Sequence, residues 1–401
     1  MASRLSSKLL EVSDAIGWKA RIPPPFGPYL VDRFHFRIPG DDGVFTQIFY
    51  PMNLVVRDRL KLNHDDTPIS RIYRTKLGET SKFLFDLLAG TLPEQQPRVS
   101  GGSPSSSPPP SPLPPPRPLL PLVLFSHGLI GNSEVYSKTC SDIASFGFIV
   151  VALEHEDGSG AFARSVSGDA VRYRLPPMWG GLTYERESVI RFRAPFLAKR
   201  EREIRRTIEF FSKDRQEKMK VFESSNRRLH DCLASVDSAE MLLAGHSFGA
   251  ATVVHMVRAS PDRFRGALLL DLWPYPLPDI ARGIRKVPVC SILSEQFAKR
   301  KESELIRELL ASSDEVRGSY YVPGTLHIAF SDMPWWASSR LWMGLLERLN
   351  VTHMENPDHV QKCLSEVYSG FLGEIIRRDD NRTTQKRWGD ASMNKTLVPF
   401  R

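Results

Sequence analysis

Apolar and polar residues follow two different rhythms along the chain. Before residue 53, YLVDRFHFRI and VFTQIFYPM alternate apolar with polar positions, and the turn-forming sequence PGDDG separates them. From residue 119 onward, short apolar runs alternate with amphipathic stretches of helical spacing. The first rhythm predicts a β-hairpin. The second predicts a parallel sheet with helices on both faces.

The second rhythm supplies the individual elements. The predicted strands are LPLVLFSHG, FIVVALEHEDG, EMLLAGHS, GALLLDLW, VPVCSILSE and SYYVPGTLH. The predicted helices are SKFLFDLLAG, SKTCSDIASFG, a charged helix over residues 199–222 with Ile204, Ile208 and Phe211 on one face, and a helix that begins at Phe248. We therefore expect one α/β domain over residues 24–376.

Three segments lie outside this regular order. Residues 1–23 form an N-terminal segment, and residues 377–401 form a basic tail that we expect to be solvated. A Pro/Ser-rich insert at about 94–118 has little apolar surface and predicts an extended surface excursion. Within the insert, PLPPPR has the PxxPxR spacing of SH3 ligands, which predicts an SH3-type partner, and a plain flexible loop is the alternative.

Composition and charge narrow the class of protein. The 401 residues are 41% hydrophobic and 25% charged, as in soluble globular proteins. No apolar run reaches the roughly 18–20 residues that a membrane span needs, and the N-terminus lacks the apolar core of a signal peptide. The four cysteines are far apart and have no CxxC spacing, which indicates a reduced compartment. We expect a cytoplasmic protein.

The basic net charge is compatible with a nucleic acid, with an anionic membrane surface or with no charged partner. The net charge is +8, but the chain has no zinc-finger spacing, RNP motif or lysine-dense arm, so we expect no nucleic-acid partner. The stretch MPWWASSRLWMGLLERL, at residues 333–349, carries three tryptophans. If some of them are exposed, the protein would make peripheral contact with membranes.

GHSFG, at residues 245–249, is the first sign of chemistry. It follows an apolar strand and precedes a helix, which is the context of a nucleophile held on a tight strand-to-helix turn. Ser247 is therefore the candidate nucleophile, and an N-cap serine is the alternative. A serine hydroxyl needs a base, and His327 lies in the loop after the last predicted strand.

The acid and the oxyanion donors follow from chain order. The acid should end a strand between Ser247 and His327, and both Asp271 and Glu295 do so. The residues alone do not choose between them. For the oxyanion, we expect the backbone N–H of Phe248 and that of Leu129, in the glycine-containing loop FSHGLIGN.

Four segments together resemble the platelet-activating factor acetylhydrolase family. They are PLVLFSHGLIGNSEVYSKTCSDIASFGFIVVALEHEDGS, GHSFGAATV, ALLLDLWPYPL and PGTLHIAFSD, and they occur in the order of the family's motifs. The resemblance spans residue 26 to about residue 335 and implies an α/β-hydrolase fold. It departs from the family at Ala250, at Glu156 and over residues 158–200, which we predict to act as a lid.

The resemblance also implies a function and a site. It implies hydrolysis of short or oxidised sn-2 acyl groups of phospholipids, without a metal or other cofactor. It selects Asp271 over Glu295 and places Trp273 in the acyl pocket, where we also expect His127 and Gly128. The alternatives are a general carboxylesterase or lipase with the same catalytic residues, and an inactive scaffold that binds partners through its proline-rich insert.

Overall fold

A mostly parallel β-sheet organises the part of the chain that the computed structural model describes. The described residues are 22–40, 43–52, 119–176, 185–220, 227–337, 356–377 and 397–400. The predicted helix SKFLFDLLAG, the proline-rich insert, residues 338–355 and most of the N-terminal segment and basic tail lie outside them. None of the helices within the described residues has the length and apolar character required to cross a bilayer.

The main sheet has nine strands within the described residues, in the order β1-β2-β4-β3-β7-β8-β9-β10-β11. Their bounds are β1 Val31–Arg37, β2 Phe45–Pro51, β3 Leu120–Ser126, β4 Ile149–Glu154, β7 Val236–His246, β8 Gly266–Leu270, β9 Val289–Ser294, β10 Val316–Val322 and β11 Val398–Pro399. The six strands from β4 to β10 in this order are parallel. The antiparallel pair β1–β2 extends one edge through β4, which confirms the predicted hairpin.

Helices cover both faces of the sheet, as the pattern predicted. Their bounds are α1 Ser137–Ala144, α2 Arg186–Ser212, α3 Arg215–Lys220, α4 Arg227–Ala234, α5 Phe248–Ala259, α6 Glu295–Ala298, α7 Glu302–Ala311, α8 Met333–Ala337 and α9 Pro357–Arg377. Alternate residues of β3 belong to different cores. Leu122 and Leu124 pack with α2 and α5, whereas Val123 and Phe125 pack with α1 and α9. Period-two burial of this kind is what a sheet covered on both faces requires.

Three elements differ from their predicted bounds. Helix α2 begins at Arg186 rather than at residue 199, and it continues through Pro195, a residue that usually ends or kinks a helix. The 158–200 segment contains the small antiparallel pair β5 (Phe162–Arg164) and β6 (Ala170–Arg172) and the first half of α2. The end of the predicted solvated tail forms β11, which pairs with β10.

The topology places the candidate residues at one edge of the sheet. The carboxyl ends of neighbouring parallel strands meet at the same edge. Gly128 follows β3, Ser247 follows β7, Asp271 follows β8 and His327 follows β10. Residues that are far apart in sequence are thereby brought within contact distance.

Candidate active site

Ser247 occupies a strained turn between β7 and α5. Its backbone has φ 57° and ψ −118°, a conformation that non-glycine residues seldom adopt. Its N–H donates to the carbonyl oxygen of Leu270 in the adjacent strand at 2.9 Å. A strained residue of this kind persists only where the surrounding structure over-determines it. The strand–serine–helix geometry is that of a nucleophile elbow.

Two glycines make this turn sterically feasible. A Cβ on Gly249 would lie 1.9 Å from the carbonyl oxygen of Ser126, and a Cβ on Gly245 would lie 2.5 Å from the Gly249 backbone. Both distances are far inside van der Waals contact, and the neighbouring atoms belong to backbone that cannot move aside. Glycine is therefore required at both positions so that α5 can pack against the end of β3.

Asp271 and His327 form a hydrogen-bonded pair beside this turn. His327 Nδ1 lies 2.8 Å from Asp271 Oδ2. The Asp271 carboxylate is fully buried, and it also accepts hydrogen bonds from the N–H and the hydroxyl of Ser294, each at 2.6 Å. Asp271 has φ 47°, so its backbone is strained as well. Three donors on one carboxylate fix its orientation.

The His327 ring is held on several sides. Phe297 stacks on it with ring centroids 4.2 Å apart and planes at 8°. The His327 N–H donates to Gln296 Oε1 at 2.8 Å. Glu295, which the residues alone left as a second candidate acid, accepts from the Gly324 N–H and forms an ion pair with Lys299. His327 is thus paired with Asp271 and not with Glu295.

The loop after β3 approaches the nucleophile closely. A Cβ on Gly128 would lie 3.0 Å from Ser247 Cβ, so a larger residue would press on the turn. Ile130 has φ 59°, which is rare for a β-branched residue, and its N–H donates to the Ser159 carbonyl at 2.8 Å. Within the described part of the chain, the N–H groups of Leu129 and Phe248 have no acceptor. This leaves both of them available to an oxyanion.

Tyr136 and His246 connect the nucleophile turn to two other loops. His246 Nε2 lies 3.0 Å from the His327 carbonyl oxygen, which can only accept, so Nε2 carries the proton. Burial, and then the neighbouring His327, lower the pKa of His246 well below its usual value. The neutral ring therefore accepts at Nδ1 from the Tyr136 hydroxyl at 2.9 Å. The Gly128 N–H donates to the same hydroxyl oxygen at 3.1 Å.

A buried arginine, Arg200, binds the backbone of the loop after β3. Arg200 of α2 is fully buried, and its Nε donates to Asp157 Oδ2 at 2.8 Å. One terminal nitrogen donates to the His127 carbonyl at 2.7 Å, and the other donates to the Ser159 hydroxyl at 2.7 Å. The guanidinium also lies 4.5 Å from the Phe248 ring centroid. Arg200 thus contacts both segments that carry the candidate oxyanion donors.

Burial and charge determine the protonation of this network. Burial would raise the pKa of Asp157, but the Arg200 charge, together with smaller contributions from His155 and from two hydrogen bonds of Ser159, outweighs burial, and the pKa falls to about 2. Burial, followed by the Arg200 charge, lowers the pKa values of His127 and His155 well below their usual range. Burial raises the pKa of Glu203, which is hydrogen-bonded to His155, to about 8. Arg200 and Asp157 are therefore the charged centre of an otherwise largely neutral cluster.

The residues predicted to line the pocket have different surroundings. His127 is buried, with Nδ1 2.8 Å from the Gly128 carbonyl and Nε2 accepting from the His155 N–H at 3.2 Å. Both nitrogens are therefore occupied within the protein, so His127 supports the loop instead of presenting a nitrogen to a substrate. Trp273 is half-buried and meets Phe248 edge-on, with centroids 6.1 Å apart.

The geometry also bears on metal binding. Ligand atoms of His246, Asp271 and His327 lie within 4.8 Å of one another, which is close enough to surround an ion. His246 is already bonded through both nitrogens, and the Nδ1 of His327 is bonded to Asp271. The donors therefore suit proton transfer along hydrogen bonds better than coordination.

Within the described residues, no hydrogen bond joins Ser247 Oγ to His327. The hydrogen bond between a nucleophile and its base often forms fully only when substrate is bound.

Sequence reasoning did not identify Ser294, Tyr136, Phe297 or Arg200. Ser294 could have been predicted from the sequence, because it ends the strand next to the one that Asp271 follows. The others lie on helices or loops whose packing cannot be read from spacing.

Tyr136→Phe is expected to lower the free energy of unfolding by about 1–3 kcal/mol, because it leaves a buried Nδ1 and a buried N–H without a partner. Denaturant unfolding followed by circular dichroism would measure it. Tyr320→Phe is the control, since the Tyr320 hydroxyl bonds to no group in the described residues. Equal midpoints for the two variants would contradict the Tyr136–His246 connection.

The chain matches one family model and several curated proteins. The model described as "Platelet-activating factor acetylhydrolase, isoform II" matches residues 18–379. The platelet-activating factor acetylhydrolases of Cavia porcellus and Bos taurus are 30% and 31% identical over 223 and 220 residues, and each alignment covers 53% of this chain and 48% of the relative. A putative phospholipase A2 of Schizosaccharomyces pombe is 28% identical over 217 residues, which cover 45% of this chain and 47% of that protein. The chain thus spans about half the length of the curated relatives it matches.

A solved structure shares the fold. The ferulic acid esterase from Streptomyces cinnamoneus superposes with a TM-score of 0.58 and 18% identity, covering 95% of this chain and 99% of that one. At this identity the likeness concerns the fold alone, and it confirms the predicted α/β-hydrolase architecture. The resemblance predicted from the four motifs is confirmed as well. Because the family model spans most of the sequence, this chain belongs to the platelet-activating factor acetylhydrolase family.

Proposed function

We propose that this chain is a serine hydrolase that cleaves short or oxidised sn-2 acyl esters of phospholipids, such as platelet-activating factor. The observation that carries the proposal is the strained Ser247 turn beside the Asp271–His327 pair, in which the carboxylate is buried and the imidazole is partly exposed. Strain stored at a small polar residue, next to an oriented imidazole, is the arrangement that nucleophilic catalysis requires. The names of the relatives, acetylhydrolase and phospholipase A2, support the class of substrate.

The proposed reaction has two halves. His327 Nε2 accepts the proton of Ser247 Oγ, which attacks the ester carbonyl carbon, and the oxyanion accepts from the N–H groups of Leu129 and Phe248. His327 then returns the proton to the leaving lysophospholipid alcohol, which leaves an acyl group on Ser247. The same imidazole then deprotonates a water molecule, which attacks the acyl carbon. The bond from that carbon to Ser247 Oγ breaks, Oγ takes the proton back from the imidazolium, and the acid is released. Asp271 holds the imidazole in the required tautomer and stabilises the imidazolium that forms.

The proposed acyl pocket lies along Trp273. The backbone N–H of Trp273 donates to the Ser247 carbonyl oxygen at 3.3 Å, so Trp273 is hydrogen-bonded to the nucleophile turn. Its edge-on contact with Phe248 gives a rigid apolar wall on the side of one oxyanion donor. Because the Trp273 wall is fixed in position, we expect the pocket to favour acyl chains that are short enough to end within it.

Asp271→Asn is expected to reduce kcat by roughly 10³–10⁴-fold, because only the true partner orients and stabilises the imidazolium. Glu295→Gln is the matched control, and we expect its kcat to stay within about tenfold of wild type. Steady-state hydrolysis of a short-acyl phosphatidylcholine gives both values. A larger loss in the Glu295 variant would assign the acid to α6 and refute the proposed role of Asp271.

Acyl-chain selectivity tests the proposed substrate class. With sn-2 chains from acetyl to palmitoyl, kcat/KM should be highest for the short chains. Each methylene that fits gains about 0.8 kcal/mol of burial, and one that does not fit gains nothing. A chelator should leave the rate unchanged, because backbone N–H groups hold the oxyanion. The Ser247→Ala variant is the inactive control, and its rate gives the background hydrolysis.

Three results would contradict this substrate assignment. A preference for palmitoyl would indicate a long-chain lipase, and higher kcat/KM for soluble aryl esters than for every phospholipid would indicate a general carboxylesterase. No turnover of any ester by the folded protein would indicate a scaffold.

A further inference from the structure

Arg193 lies among aromatic rings next to the proposed acyl pocket. It is on α2, two helical turns before Arg200, and only 3% of its surface is exposed. Its guanidinium carbon lies 4.8–6.0 Å from the centroids of five aromatic rings, which are those of Tyr173, Phe192, Phe196, Phe248 and Trp273. Two of these rings belong to the site: Phe248 follows the nucleophile, and Trp273 is the proposed acyl wall.

The charge of Arg193 has no carboxylate partner within the described residues. One terminal nitrogen donates to the Tyr173 hydroxyl at 3.1 Å, and the other is buried with no hydrogen-bond partner there. Arg200, seven residues later on the same helix, is paired with the buried Asp157. Rings stabilise a cation partly, but a buried guanidinium without an anion is costly. The contrast between the two arginines leaves Arg193 with a terminal nitrogen that could donate to an anion from outside this part of the chain.

We propose that Arg193 binds an anionic group on the acyl chain of the substrate, namely the terminal carboxylate of a short oxidised sn-2 acyl group. This inference rests on the proposed function. A planar carboxylate matches the guanidinium fork and can accept two hydrogen bonds from it. A slender chain suits a site walled by rings better than a phosphodiester does, because the phosphodiester carries both glycerol and headgroup. The rings would contact the methylene groups while Arg193 binds the end of the chain.

The test compares two esters of equal chain length, one ending in a carboxylate and one ending in a methyl group. Each is offered as an sn-2 acyl phosphatidylcholine and as a p-nitrophenyl ester, which contains no phosphate. Arg193→Gln should lower the ratio of kcat/KM, carboxylate over methyl, by about 10–100-fold in both series, the loss of one charged hydrogen-bonded contact. Arg193→Lys should retain part of the ratio, since it keeps the charge and loses the fork.

Arg174→Gln is the matched control. Arg174 also lies over the Phe196 ring, at 5.6 Å, but it is exposed, so the substitution should leave the ratio unchanged. A fall that affects both acyl chains equally in phosphatidylcholine, and neither p-nitrophenyl ester, would identify the phosphate as the ligand and overturn the proposal. An equal fall for all four substrates would also overturn it.

Thermal unfolding separates a binding role from a structural one. Removing a buried cation that has no carboxylate partner in the described residues should leave the Tm of Arg193→Gln equal to or above that of wild type. Arg200→Gln, which leaves Asp157 buried and uncompensated, should unfold at a lower temperature. A comparable drop for Arg193→Gln would contradict the inference. If wild-type protein cleaved none of the esters, the proposed function would fail; if it cleaved them without a change of ratio in Arg193→Gln, only this inference would fail.

Discussion

Close approach of backbone segments at the carboxyl edge of the sheet is the constraint on which the site depends. Helix α5 begins so near the end of β3 that a Cβ on Gly249 would clash with the β3 backbone. Gly128 is also so close to Ser247 that a Cβ there would lie only 3.0 Å from the Ser247 Cβ. These contacts hold the strained turn and the glycine-containing loop together. In the described residues, three of the five non-glycine positions with positive φ, namely Ile130, Ser247 and Asp271, lie at this edge. Strain is therefore concentrated where the proposed chemistry occurs.

Buried polar groups also hold the site together, and two of them, Arg200 and Arg193, have different kinds of partner. Arg200 is surrounded by partners from β3, the loop after β4 and α5, so it ties together the segments that carry Leu129 and Phe248. Arg193, on the same helix, contacts rings and one hydroxyl. Within the described residues, Arg200 has a carboxylate partner and Arg193 has none. A buried charge without an opposite charge lowers stability, and departures of this kind are expected at binding sites.

Much of this arrangement could be predicted from local patterns. The GHSFG context identified the Ser247 turn, and chain order identified His327, because both depend on strand–loop sequence alone. The choice between Asp271 and Glu295 could not be made from spacing, since both end strands. It depends on the direction in which each side chain points, and Glu295 points toward Gly324 and Lys299.

Other features depend on packing that a single sequence does not display. The path of α2 through Pro195 requires tertiary contacts that outweigh a helix-breaking signal. The Tyr136–His246 connection joins positions 110 residues apart, and the pairing of β11 with β10 uses residues from a segment whose composition suggests solvent exposure. His127 was expected in the pocket because of its place in the loop, and only its two hydrogen bonds reveal a supporting position.

Covalent labelling tests the central claim, that Ser247 is an activated nucleophile, most directly. The folded protein would be treated with a fluorophosphonate and analysed by intact mass and peptide mass spectrometry. We expect one adduct per chain, on the peptide that contains Ser247, and no adduct in Ser247→Ala or in heat-denatured protein. Absence of an adduct on the folded wild-type chain, or an adduct on a different serine, would contradict it.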